Sequence, residues 1–212
     1  MSPHLLRIED AGPDRKARRL VFDDGSEPRL TSAAAVKTLG LVEGDEISSP
    51  DAETALLQVE PSLAKERALQ LLGYRDRSSV ELARKLGDSG YQQDAVRPIV
   101  ERFIELGLVD DKRFAEAWVR TRVASGYGSR RIARELAKKG VAASIAETAL
   151  HTECPEEQRL NMAVRALRGS VGSDRKARDR LVRRLVAKGY ELGIALQAVD
   201  QVSAASEDGS GD

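Results

Sequence analysis

Arg130, Arg134 and Lys138 stand four residues apart, so on a helix of about 3.6 residues per turn the three cations share one face. Arg131 lies about one hundred degrees around the same helix, Lys139 ends the run, and Arg120 and Arg122 lie near the end of the helix before it. A second run holds Arg175, Lys176, Arg178, Arg180, Arg183, Arg184 and Lys188, with Asp179 as the only acid among them. Of these, Lys176, Arg180, Arg183 and Arg184 fall on one side of a helix. Such stripes suit the phosphates of a polyanion or an acidic protein surface. The competing account is a solvated outer face on a helix whose inner face is Leu181 and Leu185, and the two accounts are compatible.

Other chemistry is sparse. Two histidines, His4 and His151, do not readily build a metal site or a nucleophilic triad, and Cys154 has no second cysteine at ligand spacing. Gly126-Tyr127-Gly128 lacks the Gly-Lys-Ser ending and the preceding strand of a phosphate loop and reads as a helix break. Asp110-Asp111 is placed to cap a helix start, not to act as paired acids. Catalysis, a cofactor and a metal are therefore not expected, and the chain should act by binding. Stacking on single-stranded nucleic acid needs exposed rings, yet Phe114 and Trp118 sit at core spacing, which leaves Tyr91, Tyr127 and Tyr190. Tyr91 and Tyr190 are better placed to pack beside a glycine.

The elements that must position these cations form a repeat. Leu82, Leu86 and Gly90 are matched in spacing by Ile132, Leu136 and Gly140 and by Leu181, Leu185 and Gly189, after 50 and then 49 residues. Behind each glycine come Tyr91, Val141 or Tyr190; Ala95, Ile145 or Ile194; and Val100, Leu150 or Val199. A period this long leaves space for three helices per unit. The glycines read as helix ends, since a left-handed conformation costs glycine little.

Within the first unit a helix is expected from Pro61 to Leu72, a second from Ser78, which with Glu81 has capping-box spacing, and a third with Val96, Val100, Phe103 and Ile104 inward. The second unit opens at Asp110-Asp111, breaks at Gly126 to Gly128, and restarts with Ser129 as cap. The third opens at Pro155 and breaks at Gly169 to Ser173. Before the repeats, Leu5 to Ile8 and Arg19 to Phe22 predict a small β-hairpin, and Ser32 caps a short helix that ends at Gly40. A hairpin and one helix bury little alone, so this part should pack on the helical body or be mobile.

The expected fold is thus mainly α: tandem three-helix repeats in an elongated curved body, with a small N-terminal β-hairpin plus helix. The boundaries are 1–60 for the N-terminal region, 61–108, 109–153 and 154–204 for the repeats, and 205–212 for a disordered acidic tail. A net charge of zero hides an asymmetry, because residues 1–60 hold 7 Lys or Arg against 12 Asp or Glu while residues 61–200 hold 27 against 19. The repeats are the basic part. A lone cysteine, no membrane-length apolar run and no basic-then-apolar start lead us to expect a soluble cytoplasmic protein. A monomer is expected.

Several motifs in order carry a family resemblance. Arg75, Arg77-Ser78, Glu81-Leu82, Lys85-Leu86, Leu108-Val109-Asp110-Asp111, Phe114-Ala115, Arg120, Gly128, Arg131-Ile132, Leu136 and Lys139-Gly140 together resemble the RecX family of regulatory proteins. The likeness covers residues 61–150 well, the third unit loosely, and the first sixty residues in outline. It implies tandem three-helix units, binding along the groove of the RecA recombinase filament, inhibition of RecA activities in recombination, repair and the SOS response, and no catalysis. Single- or double-stranded DNA is the other candidate partner. A helical module that competes for DNA without touching the recombinase is the rival reading.

Overall fold

A computed structural model of the chain describes residues 3–168 and 175–208, with the side chains of the last helix through residue 204. The predicted break at Gly169 to Ser173 lies outside the described residues. Two compact units divide the chain at Asp110 and Asp111.

In the first unit, β1 (Leu5–Ala11), β2 (Ala17–Phe22) and β3 (Arg29–Ser32) form an antiparallel sheet in that order. The expected hairpin is present, and β3 is an addition. It is four residues long and follows Pro28, too short a run for alternation to reveal. Ser32 caps α1 (Ala33–Leu39) by accepting from the Ala35 N–H at 3.0 Å, and Gly40 ends the helix at φ +67°.

Helix α2 (Ser49–Tyr74) starts twelve residues before the predicted Pro61, with Ser48 accepting from the Asp51 N–H at 3.2 Å and a proline in the first turn. Pro61 lies inside it and withdraws a donor from the Leu57 carbonyl, on a turn where the Leu57 side chain is exposed. What offsets this cost is burial on both sides of the proline. Ala52 and Leu56 pack on Leu5, Leu20, Phe22 and Ala35, while Ala64, Ala68 and Leu71 join the core of the next two helices. The boundary predicted at 60/61 therefore falls within a helix.

Helix α3 (Ser79–Asp88) begins at the predicted cap, where Ser78 Oγ accepts from the Glu81 N–H at 3.1 Å. Helix α4 (Gln93–Glu105) then completes a core of Leu82, Leu86, Tyr91, Val96, Val100 and Phe103. Burying one such leucine contributes about 2 kcal/mol. Ile104, expected inward, is half exposed at the outer edge of α4.

The second unit repeats the pattern twice, with α5 (Asp111–Ala124), α6 (Ser129–Lys138) and α7 (Ala143–Glu153), then α8 (Glu156–Ala166), α9 (Arg175–Ala187) and α10 (Leu192–Asp208). Ile132, Leu136, Val141 and Leu150 fill one core, and Leu181, Leu185, Tyr190 and Val199 the other, at the positions the repeat predicts. The last helix continues through Asp208, past residue 205 where a disordered tail was expected; residues 209–212 lie outside the described part.

Two of the recurring glycines do more than end a helix. Gly90 has φ +95°, and a Cβ there would lie 2.1 Å from the Thr31 carbonyl oxygen at the junction of β3 and α1. Gly189 has φ +94°, and its Cβ would lie 2.4 Å from Arg131 Cβ. In both places two backbones meet with no space for a side chain.

Candidate functional site

The close approach at Gly189 sets the geometry of the basic surface. The N-cap of α6 is Gly128, not the predicted Ser129, because any side chain there would strike the Gly189 carbonyl carbon at 2.4 Å. The Gly128 N–H donates to the Lys188 carbonyl at 2.9 Å, and the Arg130 N–H donates to the Gly189 carbonyl at 3.1 Å. The first orphan donors of α6 are thus satisfied by the end of α9, in place of a capping side chain. This bonding joins the two basic helices. An open hollow of about 300 Å³ lies where they meet, lined by Arg131, Arg134, Glu135 and Lys138 of α6 and Ala187 of α9.

Arg130, Arg134 and Lys138 are exposed, and among the described residues no carboxylate pairs with them. Arg134 Nε donates back to the Arg130 carbonyl at 3.3 Å, which lays its side chain along the helix. On α9, Arg175, Lys176, Arg180 and Arg183 are exposed and have no carboxylate partner among the described residues, and Arg184 is exposed beside them. Arg183 and Arg184 stand one turn before Ala187 on its side of the helix, so the second stripe leads into the hollow.

Arg120, Arg122 and Lys139 are placed differently. Arg120 pairs with Glu153 of α7 at 2.5 Å. Arg122 lies over the Trp118 ring at 4.4 Å and near the Tyr127 ring at 5.7 Å, and Lys139 Nζ lies 4.2 Å from the Trp118 ring centre. The guanidinium of Arg131 covers the other partner of this stack, 4.1 Å from the centre of Tyr127. Cations and rings therefore alternate along the surface formed by α5 and α6, each contact contributing about 0.5–1 kcal/mol at an exposed site. Trp118 and Tyr127 are half-buried, whereas Phe114, stacked on Trp118 at 5.9 Å, is buried as its spacing predicted. Tyr91 and Tyr190 are buried beside their glycines.

Glu135, absent from the sequence-based candidates, holds this surface together. Its carboxylate accepts from Arg131 Nε at 3.1 Å and from the Trp118 indole N–H at 3.2 Å, and Arg122 Nε lies 2.7 Å away as an ion pair without hydrogen-bond alignment. Burial pushes this carboxyl up, but the Arg131 hydrogen bond, the Arg122 charge and the Trp118 hydrogen bond outweigh it and hold the group below the ordinary glutamate value. The available signal was a lone acid four residues after Arg131 within a basic run.

Among the described residues no group of His, Cys, Asp and Glu is arranged to hold a metal, and no helix is long and apolar enough to cross a membrane. The chemistry offered is that of a cationic face with flat, half-exposed rings.

Comparison with known proteins is consistent along the chain. Residues 64–103 match the family model described as RecX, first three-helix domain, and residues 110–150 match RecX, second three-helix domain. The regulatory protein RecX of Mycolicibacterium smegmatis is 35% identical over 183 residues, covering 82% of this chain and 92% of that protein. That of Streptomyces coelicolor is 38% identical over 143 residues, covering 65% and 76%. A crystal structure of RecX from Lactobacillus salivarius superposes with a TM-score of 0.61 at 26% identity, over 68% of this chain and 96% of that one. A second crystal structure of a regulatory protein RecX has a TM-score of 0.58 at 21% identity over 93% of this chain and 99% of that one, a likeness of fold.

Proposed function

Because this chain belongs to the RecX family of regulatory proteins, we propose that it binds filaments of the RecA recombinase and inhibits or modulates their ATP hydrolysis, strand exchange and growth. It does so without catalysis, as a cytoplasmic monomer in DNA recombination, repair and the SOS response. Three successive three-helix repeats, with the boundaries predicted at 108/109 and 153/154, present the contact surface.

The observation that carries this reading is the pair of basic stripes on α6 and α9. Arg130, Arg134 and Lys138, with Lys176, Arg180 and Arg183, have no carboxylate partner among the described residues, so an acidic partner surface gains their attraction. A binder of this kind shifts a filament equilibrium only by its differential affinity for the states it touches. The test is co-sedimentation or pull-down with RecA filaments, with and without DNA. Capture of the chain in proportion to filament supports the reading, and failure to bind in both conditions sinks it.

A second reading draws on the same exposed cations of α6 and α9, which suit the phosphates of DNA as well as an acidic protein surface. In that case the chain competes for DNA without contacting the recombinase. Inhibition of RecA ATPase that vanishes when DNA is in excess, at constant filament, favours competition. Inhibition that persists at substoichiometric amounts of the chain favours filament contact.

A further inference from the structure

The hollow where α6 and α9 meet contains one arginine that is held from two directions. The Nε edge of Arg131 is bonded to Glu135 at 3.1 Å, and the face of its guanidinium lies on Tyr127 at 4.1 Å. Together these hold the group at two points, its Nε edge and its central carbon. The terminal nitrogens have no hydrogen-bond partner among the described residues, and the side chain lines the hollow beside Arg134 and Lys138. A flexible arginine loses rotamer freedom when it grips a ligand; this one has lost it on folding.

The device is peculiar to the second repeat. At the positions equivalent to Tyr127, Arg131 and Glu135, the first repeat has Arg77, Glu81 and Lys85, and the third has Lys176, Arg180 and Arg184. Neither combines a ring, an arginine and a carboxylate. Glu135 also lines the hollow, where its negative charge by itself opposes any anion. A carboxylate is placed in an anion-binding hollow to some purpose only if holding Arg131 outweighs that repulsion.

We infer that Glu135 and Tyr127 are positioning residues that present the two terminal nitrogens of Arg131 as a preset fork for a planar oxyanion, a carboxylate on the acidic surface of the filament partner. The inference rests on the reading that this face engages the filament. Arg134 and Lys138 add unspecific attraction around the fork, and the fork supplies geometry, since two parallel N–H donors match one carboxylate.

The sign of the effect at Glu135 separates positioning from plain charge. Binding of the full chain to RecA filaments on single-stranded DNA is measured for Arg131→Ala, Glu135→Ala, Glu135→Gln, Tyr127→Leu and the Arg131→Ala/Glu135→Ala double variant, with circular dichroism and Tm recorded for each. Arg131→Ala is expected to weaken binding about tenfold, as for a centrally placed arginine. Glu135→Ala weakens it severalfold although it removes a negative charge, Glu135→Gln less so, and Tyr127→Leu by an intermediate factor. The double variant binds no more weakly than Arg131→Ala alone, because Glu135 acts through Arg131. Glu135→Ala binding as tightly as the parent, or weakening binding by the same factor without Arg131, overturns the inference. A separate variant, Arg134→Glu/Lys138→Glu, tests the face itself: unchanged filament binding there sinks the parent reading and this inference with it, whereas lost binding there alongside unaffected Glu135→Ala binding sinks this inference alone.

Discussion

Each unit of the chain has a glutamate held by two arginines, and the two clusters serve different ends. In the first, Glu81 is 5% exposed and takes Arg77 at 2.9 Å together with Arg75. Arg77 is itself mostly covered, with 10% of its side chain exposed, and its Nε donates to the Leu71 carbonyl at 3.2 Å, so the cluster fastens the end of α2 to the start of α3. In the second, Glu135 is 21% exposed and both of its arginines are partly open, at 30% for Arg122 and 40% for Arg131, whereas in the first Arg75 alone, at 47%, is open to solvent. Burial of Glu81 and of most of Arg77 makes that pair an internal tie. Exposure and the neighbouring rings leave the second free to meet a partner. Charge pattern alone does not separate a structural cluster from a binding one; depth does.

The largest expected effect tests that difference in depth. Glu81→Ala leaves the mostly covered Arg77 without its carboxylate and should cost about 2–4 kcal/mol in urea unfolding, whereas Glu135→Ala should cost about 1 kcal/mol or less. Equal losses at the two positions would end the comparison. Next in size is the loss of partner binding on reversing Arg130, Arg131 and Arg134 to Glu, about a hundredfold in filament affinity, with a stability loss of about 1–2 kcal/mol because Arg131→Glu removes the Tyr127 contact and faces Glu135. Reversal of Arg84, the exposed counterpart of Arg134 in the first unit, should alter filament affinity far less in the same assay. Retained folding with unchanged filament inhibition by the triple variant removes the α6 patch from the mechanism.

A feature the two units share gives a smaller and more uniform effect. Gly90→Ala and Gly189→Ala each place a Cβ against backbone at a positive φ, and both should destabilise by roughly 2–3 kcal/mol. Gly40→Ala, at φ +67° with nothing near its Cβ, should cost only about 1 kcal/mol. Thermal unfolding of the three variants checks whether close approach, beyond helix termination, is what the first two glycines provide.

The smallest effects lie in pH dependence and have opposite signs in the two units. Glu60, buried and accepting from Thr31 Oγ1 at 2.6 Å, has its carboxyl pushed above the ordinary value of 4.5 by burial, against the lowering effects of Thr31 and Arg29. Its fold contribution is therefore full below pH 4.5 and is lost as pH rises through the raised value. Glu60→Gln, which keeps an acceptor for Thr31, should remove that loss and gain stability at pH 7. Glu135 is held below 4.5, so its contribution is present above that pH and lost as pH falls through the lowered value. Glu135→Gln should flatten the acid side of the stability profile. Denaturant midpoints between pH 3 and 8 read both, and parallel profiles for the two variants would contradict the assigned environments.

Much of this was legible in the amino-acid order. Leucine and isoleucine at four-residue spacing with a glycine four residues on define each repeat, because one helix face must be apolar and its end must turn. The Ser78 and Ser32 caps were equally local signals. The start of α2 was missed although Ser48, Pro50 and Asp51 mark it, since Pro61 reads as a helix start when the burial on both of its sides is unseen. Trp118 stands at core spacing yet opens to the surface because Arg122 and Lys139 flank it from other turns. Ile104, at apolar spacing on α4, is left 48% exposed, since burial depends on what packs against a residue and spacing does not record it.

The local order of residues by itself determined the helices, their repeat, the basic stripes and the family, since these depend on periodicity and on neighbours within a few residues. Only the tertiary structure brought α6 and α9 together. That meeting depends on two glycines sixty-one residues apart, Gly128 and Gly189, whose missing side chains let one backbone hydrogen-bond to the other. It also decided that Glu135 holds a fork while Glu81 fastens a loop, because burial is a property of what packs above a residue and no spacing along the chain records it.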